Sequence, residues 1–175
     1  MSVNDTPYIR GMPKRAPGLP APPVITPMLA SSIDVPPASD DWIHEAKIDG
    51  HRAIVTVVAG ATEIRSRNGR DVTTLYPAVA IAAGKLGRDV VVDGELAVAG
   101  DDGITRLGLL EEHRRPAPSR VVLFAFDLLW IAGEDLRRLP AVDRKGALAQ
   151  LLPQAHANLI PVPHASASPP RPRAA

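Results

Sequence analysis

A chain of 175 residues, 45% of them hydrophobic and 22% charged, can close one compact core but not two large ones. It has no cysteine, which excludes disulfides, thiolate metal sites and thiol nucleophiles together, and a formal net charge of +1 neither points to nor excludes nucleic acid or acidic small molecules. No run approaches the roughly 18 to 20 apolar residues that a membrane span needs, and the opening M-S-V-N-D-T-P lacks a basic-then-apolar signal pattern, so a cytoplasmic protein without membrane contact is expected.

Proline divides the chain. Of 19 prolines, nine lie before residue 41 and six after residue 152, and proline both removes a backbone donor and breaks helix and sheet ladders. The packed unit is therefore expected over residues 41–152. A Pro-rich lead and arm occupy 1–40, and a Pro/Ala-rich tail without regular structure occupies 153–175. Within the lead, Pro27-Met28-Leu29-Ala30 is short and apolar and is expected to pack on the core as an arm.

The first packed stretch, W-I-H-E-A-K-I-D-G-H-R from Trp42 to Arg52, reads as a strand. Alternate side chains of a strand share one face, so Glu45, Lys47 and Asp49 are expected to point into a common pocket. Arg52 to Val58 and Thr62 to Arg67 read as a hairpin about Ala59-Gly60, and Asn68-Gly69 marks a further turn. Leu75, Val79, Ala82 and Leu86 recur at helical spacing behind Thr73 or Thr74 as N-cap, with Gly87 at the end. Val90 to Val98 is a strand, Leu107 to Arg115 a short helix, and Val121 to Trp130 the most apolar strand. Pro140 opens a helix over Val142 to Leu152. Strands outnumber helices and connections are hairpin-length, so the expected class is α+β, with mostly antiparallel sheets and flanking helices.

Lysine has a reference pKa of about 10.4, which leaves roughly one amine in 10³ neutral near pH 7. Burial or a nearby cation activates it, whereas flanking carboxylates do the opposite. Lys47, between Glu45 and Asp49, is on spacing alone either a salt-bridged strand residue or a tuned amine that needs Arg52 or a divalent metal beside it. The surrounding segments distinguish these. E-x-K-x-D-G-x-R over Glu45–Arg52 resembles the nucleotidyl-transfer lysine motif of ATP-dependent DNA ligases, RNA ligases and capping enzymes. Ser66-Arg67-Asn68-Gly69, Val92-Asp93-Gly94-Glu95 and Ala125-Phe126-Asp127-Leu128-Leu129 follow in the order of the DNA ligases' later motifs. Pro27–Ala30 and Gly133–Pro140 resemble segments of bacterial end-joining ligase modules, so the resemblance covers about residues 24–152.

This resemblance implies a partial adenylation domain of nucleotidyltransferase, ATP-grasp-like type. ATP and Mg²⁺ would be its cofactors, nicked duplex DNA its partner, and Lys47 the catalytic acceptor of AMP in the first step of nick sealing during repair and recombination. It implies ATP contacts from Glu45 at the adenine, from Asp49, Arg52 and Arg67, from Glu95 at the ribose and the metal, and from the Phe126 ring stacked on the base. Arg65, Arg67 and Arg70 would meet DNA. Each has a plainer reading: hairpin turns at Asn68-Gly69 and Asp93-Gly94, a core Phe126, a surface Glu95, a solvated arginine hairpin. The family's later E-G-x-x-x-K and K-x-K motifs do not occur in residues 143–175, nor does a C-terminal barrel, and Leu107 and Glu111 stand where related ligases usually carry Phe and Gln. Two readings follow. One is the front of a ligase that acts with a separately encoded C-terminal half, and the other is a non-catalytic truncated remnant that binds nucleotide or DNA.

Overall fold

The computed structural model describes residues 18–37, 39, 41–113, 120–152 and 157–166. The lead before Gly18, the expected helix end at Arg114–Arg115 and the last nine residues lie outside these. Six strands form the main sheet: β2 (His51–Val58), β3 (Ala61–Ser66), β4 (Val90–Ala97), β5 (Val122–Ile131), β6 (Glu134–Asp135) and β7 (Leu159–Pro161). Their order is β3-β2-β4-β5-β6, all antiparallel, with β7 running parallel to the first half of β5. β1 (Ile43–Glu45) and β8 (His164–Ser166) make a separate two-stranded sheet. The helices are α1 (Pro77–Gly84), α2 (Leu107–His113) and α3 (Ala141–Leu151). The fold is thus mixed, with mostly antiparallel sheets and few helices. Among the described residues no helix is long and apolar enough to cross a membrane.

The hairpin β2–β3 closes through Ala59 and Gly60, both at positive φ (59° and 81°), as a two-residue turn requires. The Ala59 N–H, which no ladder satisfies, donates to Asp89 Oδ1 at 2.8 Å. Alternation then sorts β2: Ala53, Val55 and Val57 enter the main core with Val79, Leu110 and Leu148, while Ile54 turns to the other face, against Ile25, Val91, Leu129 and Trp130. The arm anchors on that second face through Ile25, not through Met28 and Leu29, which are exposed.

Strand β5 carries two irregularities. The pairing steps from Val91↔Trp130 to Val92↔Leu128, and from Asp93↔Asp127 to Gly94↔Ala125, so Leu129 and Phe126 are each an extra residue on β5. An extra residue inverts the in-and-out alternation beyond it. Leu123, Ala125, Leu128 and Ile131 therefore all reach the main core, and Phe126 and Asp127 are left together on the other face.

Three expectations are corrected. The first strand ends at Glu45 rather than continuing through Lys47 and Asp49. Residues 46–50 leave the ladder because Gly50 lies flat on β4, where a Cβ would sit 2.1 Å from the Leu96 carbonyl oxygen. The first helix begins at Pro77, a favoured first helical residue, while Thr73–Leu75 forms a separate 3₁₀ turn tied to Asp71. Finally, the region after Pro153 is not featureless. Residues 159–161 add an edge strand held by Leu123 N–H to Asn158 O at 2.9 Å and Val162 N–H to Ala125 O at 2.7 Å, and an edge strand tolerates Pro161.

Gly50→Ala is expected to lower stability by about 1–3 kcal/mol or more, since the obstruction is backbone and cannot rotate away. Urea denaturation followed by circular dichroism would show a lower midpoint, and an unchanged midpoint would mean that the 46–50 loop does not pack on β4 as described.

Candidate functional site

The outer face of the sheet is organised by charge. Asp93 on β4 and Asp127 on β5 are direct cross-strand partners, and like charges so placed repel. Each is answered by a guanidinium in fork geometry. Arg52 Nε and Nη2 donate to Asp93 Oδ1 and Oδ2 at 2.6 and 2.7 Å, and Arg144 Nε and Nη2 donate to Asp127 at 2.8 Å each. Asp93 is buried, and burial pushes its pKa up, with Asp127 adding to the rise and the Arg52 hydrogen bonds and charge opposing it. The guanidinium carbon of Arg52 also lies 4.5 Å from the centre of the Phe126 ring, within cation–π range.

Lys145, next to Arg144 on α3, is buried and donates to the Glu45 carboxylate and, at 2.7 Å, to the Phe126 carbonyl oxygen. Glu45 therefore faces α3. Lys47 does not share its direction: its side chain is 86% exposed and pairs with Asp49 Oδ1 at 3.4 Å. Asp49 in turn is committed to the scaffold, its Oδ2 accepting from the Leu107 N–H at 3.1 Å and its own N–H donating to Thr105 Oγ1 at 3.0 Å. The Leu107 hydrogen bond is the main reason its pKa is lowered. The loop bearing Lys47 is thus pinned at both ends, by α3 through Glu45 and by the start of α2 through Asp49.

Two clefts open on this face. The first, of about 680 Å³, is lined by Ile25, Trp42, Glu45, Arg52, Phe126 and Lys145 among others. The second, of about 620 Å³, is lined by Arg52, Ser66, Arg67, Asn68, Arg70 and Glu95 among others. Arg52 forms the ridge between them. Glu95 is pushed up in pKa by burial, and the charges of Arg52 and Lys47 pull it the other way. The structure therefore gathers Glu45 and Phe126 in one cleft, and Arg67, Arg70 and Glu95 in the other. Arg65 is in neither: it holds Glu63 at 2.6 and 3.0 Å and the Gly69 carbonyl at 3.0 Å.

Among the described residues no group of three or more His, Asp or Glu side chains could hold a metal ion. Asp93 and Asp127 are already taken by arginines. Were a magnesium ion to bind here beside phosphates, Glu95 is the residue of this chain that would hold it, since Mg²⁺ is commonly bound through one or two carboxylates next to phosphates.

Arg144 and Lys145 lie outside the motifs, and Asp127, inside the fourth of them, is assigned no role from the sequence. A signal was available, because Arg144 and Lys145 precede Leu148 by four and three residues, which places two cations on the buried stripe of α3.

The sequence pattern of the ATP-dependent DNA ligase domain matches residues 27–167. The chain belongs to that family. It is 38% identical over 127 residues to the multifunctional non-homologous end joining protein LigD of Mycolicibacterium smegmatis, a match covering 71% of this chain and 16% of that one. It is 36% identical over 141 residues to DNA ligase C of Mycobacterium tuberculosis, covering 74% and 38%. Among solved structures it is similar to mycobacterial DNA ligase D complexed with ATP and MES, with TM-score 0.61, 32% identity and coverage of 70% of this chain and 39% of that one. The ligase domain of Mycobacterium tuberculosis LigD gives TM-score 0.60, 34% identity and coverage of 70% and 40%. This ligase-domain chain thus spans well under half the length of these relatives.

Arg52→Ala would leave Asp93 buried without its cation, at an expected cost of about 3–5 kcal/mol near neutral pH. Removal of Arg52 raises the folded pKa of Asp93 further. A carboxyl with a raised folded pKa contributes stability that is complete below its ordinary value of 3.8 and is lost as pH rises through the folded value. The deficit of the variant is therefore expected to be small near pH 4 and to grow toward pH 7. Denaturation curves at several pH values check this, and a pH-independent deficit contradicts it.

Proposed function

We propose that this ligase-domain chain binds ATP across the two clefts and accepts AMP on Lys47, the first step of joining nicked duplex DNA in break repair. The observation that carries this reading is the placement of Arg52, held by Asp93, over the Phe126 ring and on the ridge between an aromatic cleft and an arginine-lined one. A purine on the face of the Phe126 ring opposite Arg52 gains stacking on an apolar surface, Glu45 meets its edge, and Glu95 and Arg52 meet the ribose and phosphate oxygens. The relatives named above, among them a ligase D solved with ATP, support the choice of nucleotide.

The chemistry asks little of the protein beyond placement and charge. Lys47 Nζ, having released a proton, forms a bond to the α-phosphorus, and the bond from that phosphorus to the pyrophosphate oxygen breaks. The AMP then passes to a 5′-phosphate at the nick, and the 3′-hydroxyl displaces it to seal the strand. Magnesium, when bound at Glu95 and the phosphates, supplies charge neutralisation. The chain's own part is to bring Lys47 to the phosphate on a loop fixed at Glu45 and Asp49, and to offer Arg67 and Arg70 to the DNA. With Asp49 committed to Leu107 and Thr105, its service to ATP is indirect, through the placement of that loop.

A second reading has one observation in its favour: Lys47 is exposed and pairs with a carboxylate, as in a protein that binds nucleotide or DNA without transferring AMP. Incubation with α-labelled ATP and Mg²⁺, followed by denaturing electrophoresis, separates the two. We expect label on the chain, lost by at least ~10²-fold in Lys47→Ala. Nick sealing by these 175 residues alone is expected to be weak or absent, because no K-x-K follows residue 143 to grip the triphosphate. Nucleotide binding without labelling would leave the binding-only reading, with or without a separately encoded C-terminal half as its partner.

A further inference from the structure

Lys145 is a cation on the buried side of α3, with its side chain 7% exposed. A desolvated ammonium persists only with good partners. Its partners come from two distant parts of the chain: the Glu45 carboxylate at the end of β1 and the Phe126 carbonyl oxygen at the extra residue of β5. The same two residues line the first cleft, one with a ring and one with a carboxylate. Among the described residues the second oxygen of Glu45, Oε2, takes no hydrogen bond. β1 gives that carboxylate little other support, since it is three residues long and among the described residues pairs only with β8, and a two-stranded ribbon is marginal by itself.

The bases differ at the edge such a carboxylate would meet. Adenine presents an amino donor where guanine presents a carbonyl acceptor, and an ionised carboxylate can only accept. Discrimination between them needs the acceptor fixed relative to the ring on which the base lies. Lys145 joins those two elements directly. We propose that Lys145 is the positioning residue for base selectivity: it holds the Glu45 carboxylate at a set place beside the Phe126 ring, so that the cleft takes an amino-bearing purine nucleotide in preference to an oxo-bearing one. The proposal rests on the nucleotide reading above and extends it to a residue outside the ligase motifs.

Trp42 provides the measurement, because it lines the cleft and is 52% exposed, whereas Trp130, the other tryptophan, is 2% exposed. Its fluorescence in the full chain is titrated with ATP and with GTP. Lys145→Met is expected to reduce the ATP-over-GTP preference by about tenfold or more, while Lys145→Arg keeps it within about threefold. A general loosening would weaken both nucleotides together, so the ratio isolates positioning. Glu45→Gln serves even if Lys145→Met does not fold. Lys145, a pure donor, turns the amide oxygen toward itself and the amide nitrogen toward the cleft, so the preference should shift toward GTP, and adding Lys145→Met should cancel that shift. An unchanged ratio in Lys145→Met, or no shift in Glu45→Gln, overturns the proposal. Equal response of the unaltered chain to both nucleotides overturns it while leaving the nucleotide reading in place, and no response to either removes both.

Discussion

Two carboxylates facing each other across adjacent strands cannot both be ionised and dry unless cations stand beside them, and Asp93 and Asp127 are in that position. The chain answers with Arg52 from β2 and Arg144 from α3, and much else follows. β2 must sit next to β4 in the register that opposes Arg52 to Glu95, one residue pair beyond the glycine at 94. α3 must lie across the end of the face, which brings Lys145 to Glu45 and to the Phe126 carbonyl. The helices and apolar side chains close the opposite face into the main core. The charged face is left as a pair of clefts, and the described part of the arm reaches it at Ile25 and its neighbours.

The loop from Ala46 to Gly50 mounts an exposed lysine on a fixed backbone. Its backbone is held by Thr105, by the Leu107 N–H and by the flat contact of Gly50 with β4. The Lys47 side chain has four rotatable carbons and a single exposed ion pair at 3.4 Å, and an exposed pair of that kind adds little to stability. In the proposed transfer, exchanging Asp49 for a phosphate oxygen would therefore cost little, while the loop that carries the lysine stays fixed. Burial raises the pKa of Glu95, and the charges of Arg52 and Lys47 pull it the other way.

Much of this was legible in the residues. The hairpin, the two long strands and α3 follow from alternation, turn chemistry and helical spacing, and four motifs in order carry the family resemblance. What stayed hidden has particular causes. V-V-L-F-A-F-D-L-L-W reads as an uninterrupted buried strand, because an extra residue leaves no mark in composition; only pairing with β4 reveals that Phe126 and Asp127 turn outward. The strand through Lys47 was overextended because period-two spacing continues past Glu45, whereas Gly50 and the tethers of Asp49 end the ladder. β7 was missed because Pro161 and Pro163 argue against a strand, yet an edge parallel to β5 needs few of their donors. Arg144 and Lys145 lie outside every family motif, and their role depends on contacts 17 and 100 residues away in the chain.

Arginine at position 52 does something that lysine could not. A guanidinium carries five donors in a plane, and Asp93 occupies one edge of it through Nε and Nη2. The remaining N–H groups, on Nη1 and the outer side of Nη2, stay directed away from that carboxylate by the rigidity of the fork. The guanidinium carbon meanwhile lies over the Phe126 ring, 4.5 Å from its centre. One side chain thus neutralises a buried acid, lies against the aromatic floor of one cleft and can offer donors to anionic oxygens in the next, without giving up any of these to gain another. An ammonium at the same place is a single point charge and would have to choose between Asp93 and the ligand. That division of a planar cation lets a buried acid, an aromatic ring and an arginine-lined cleft share one ridge.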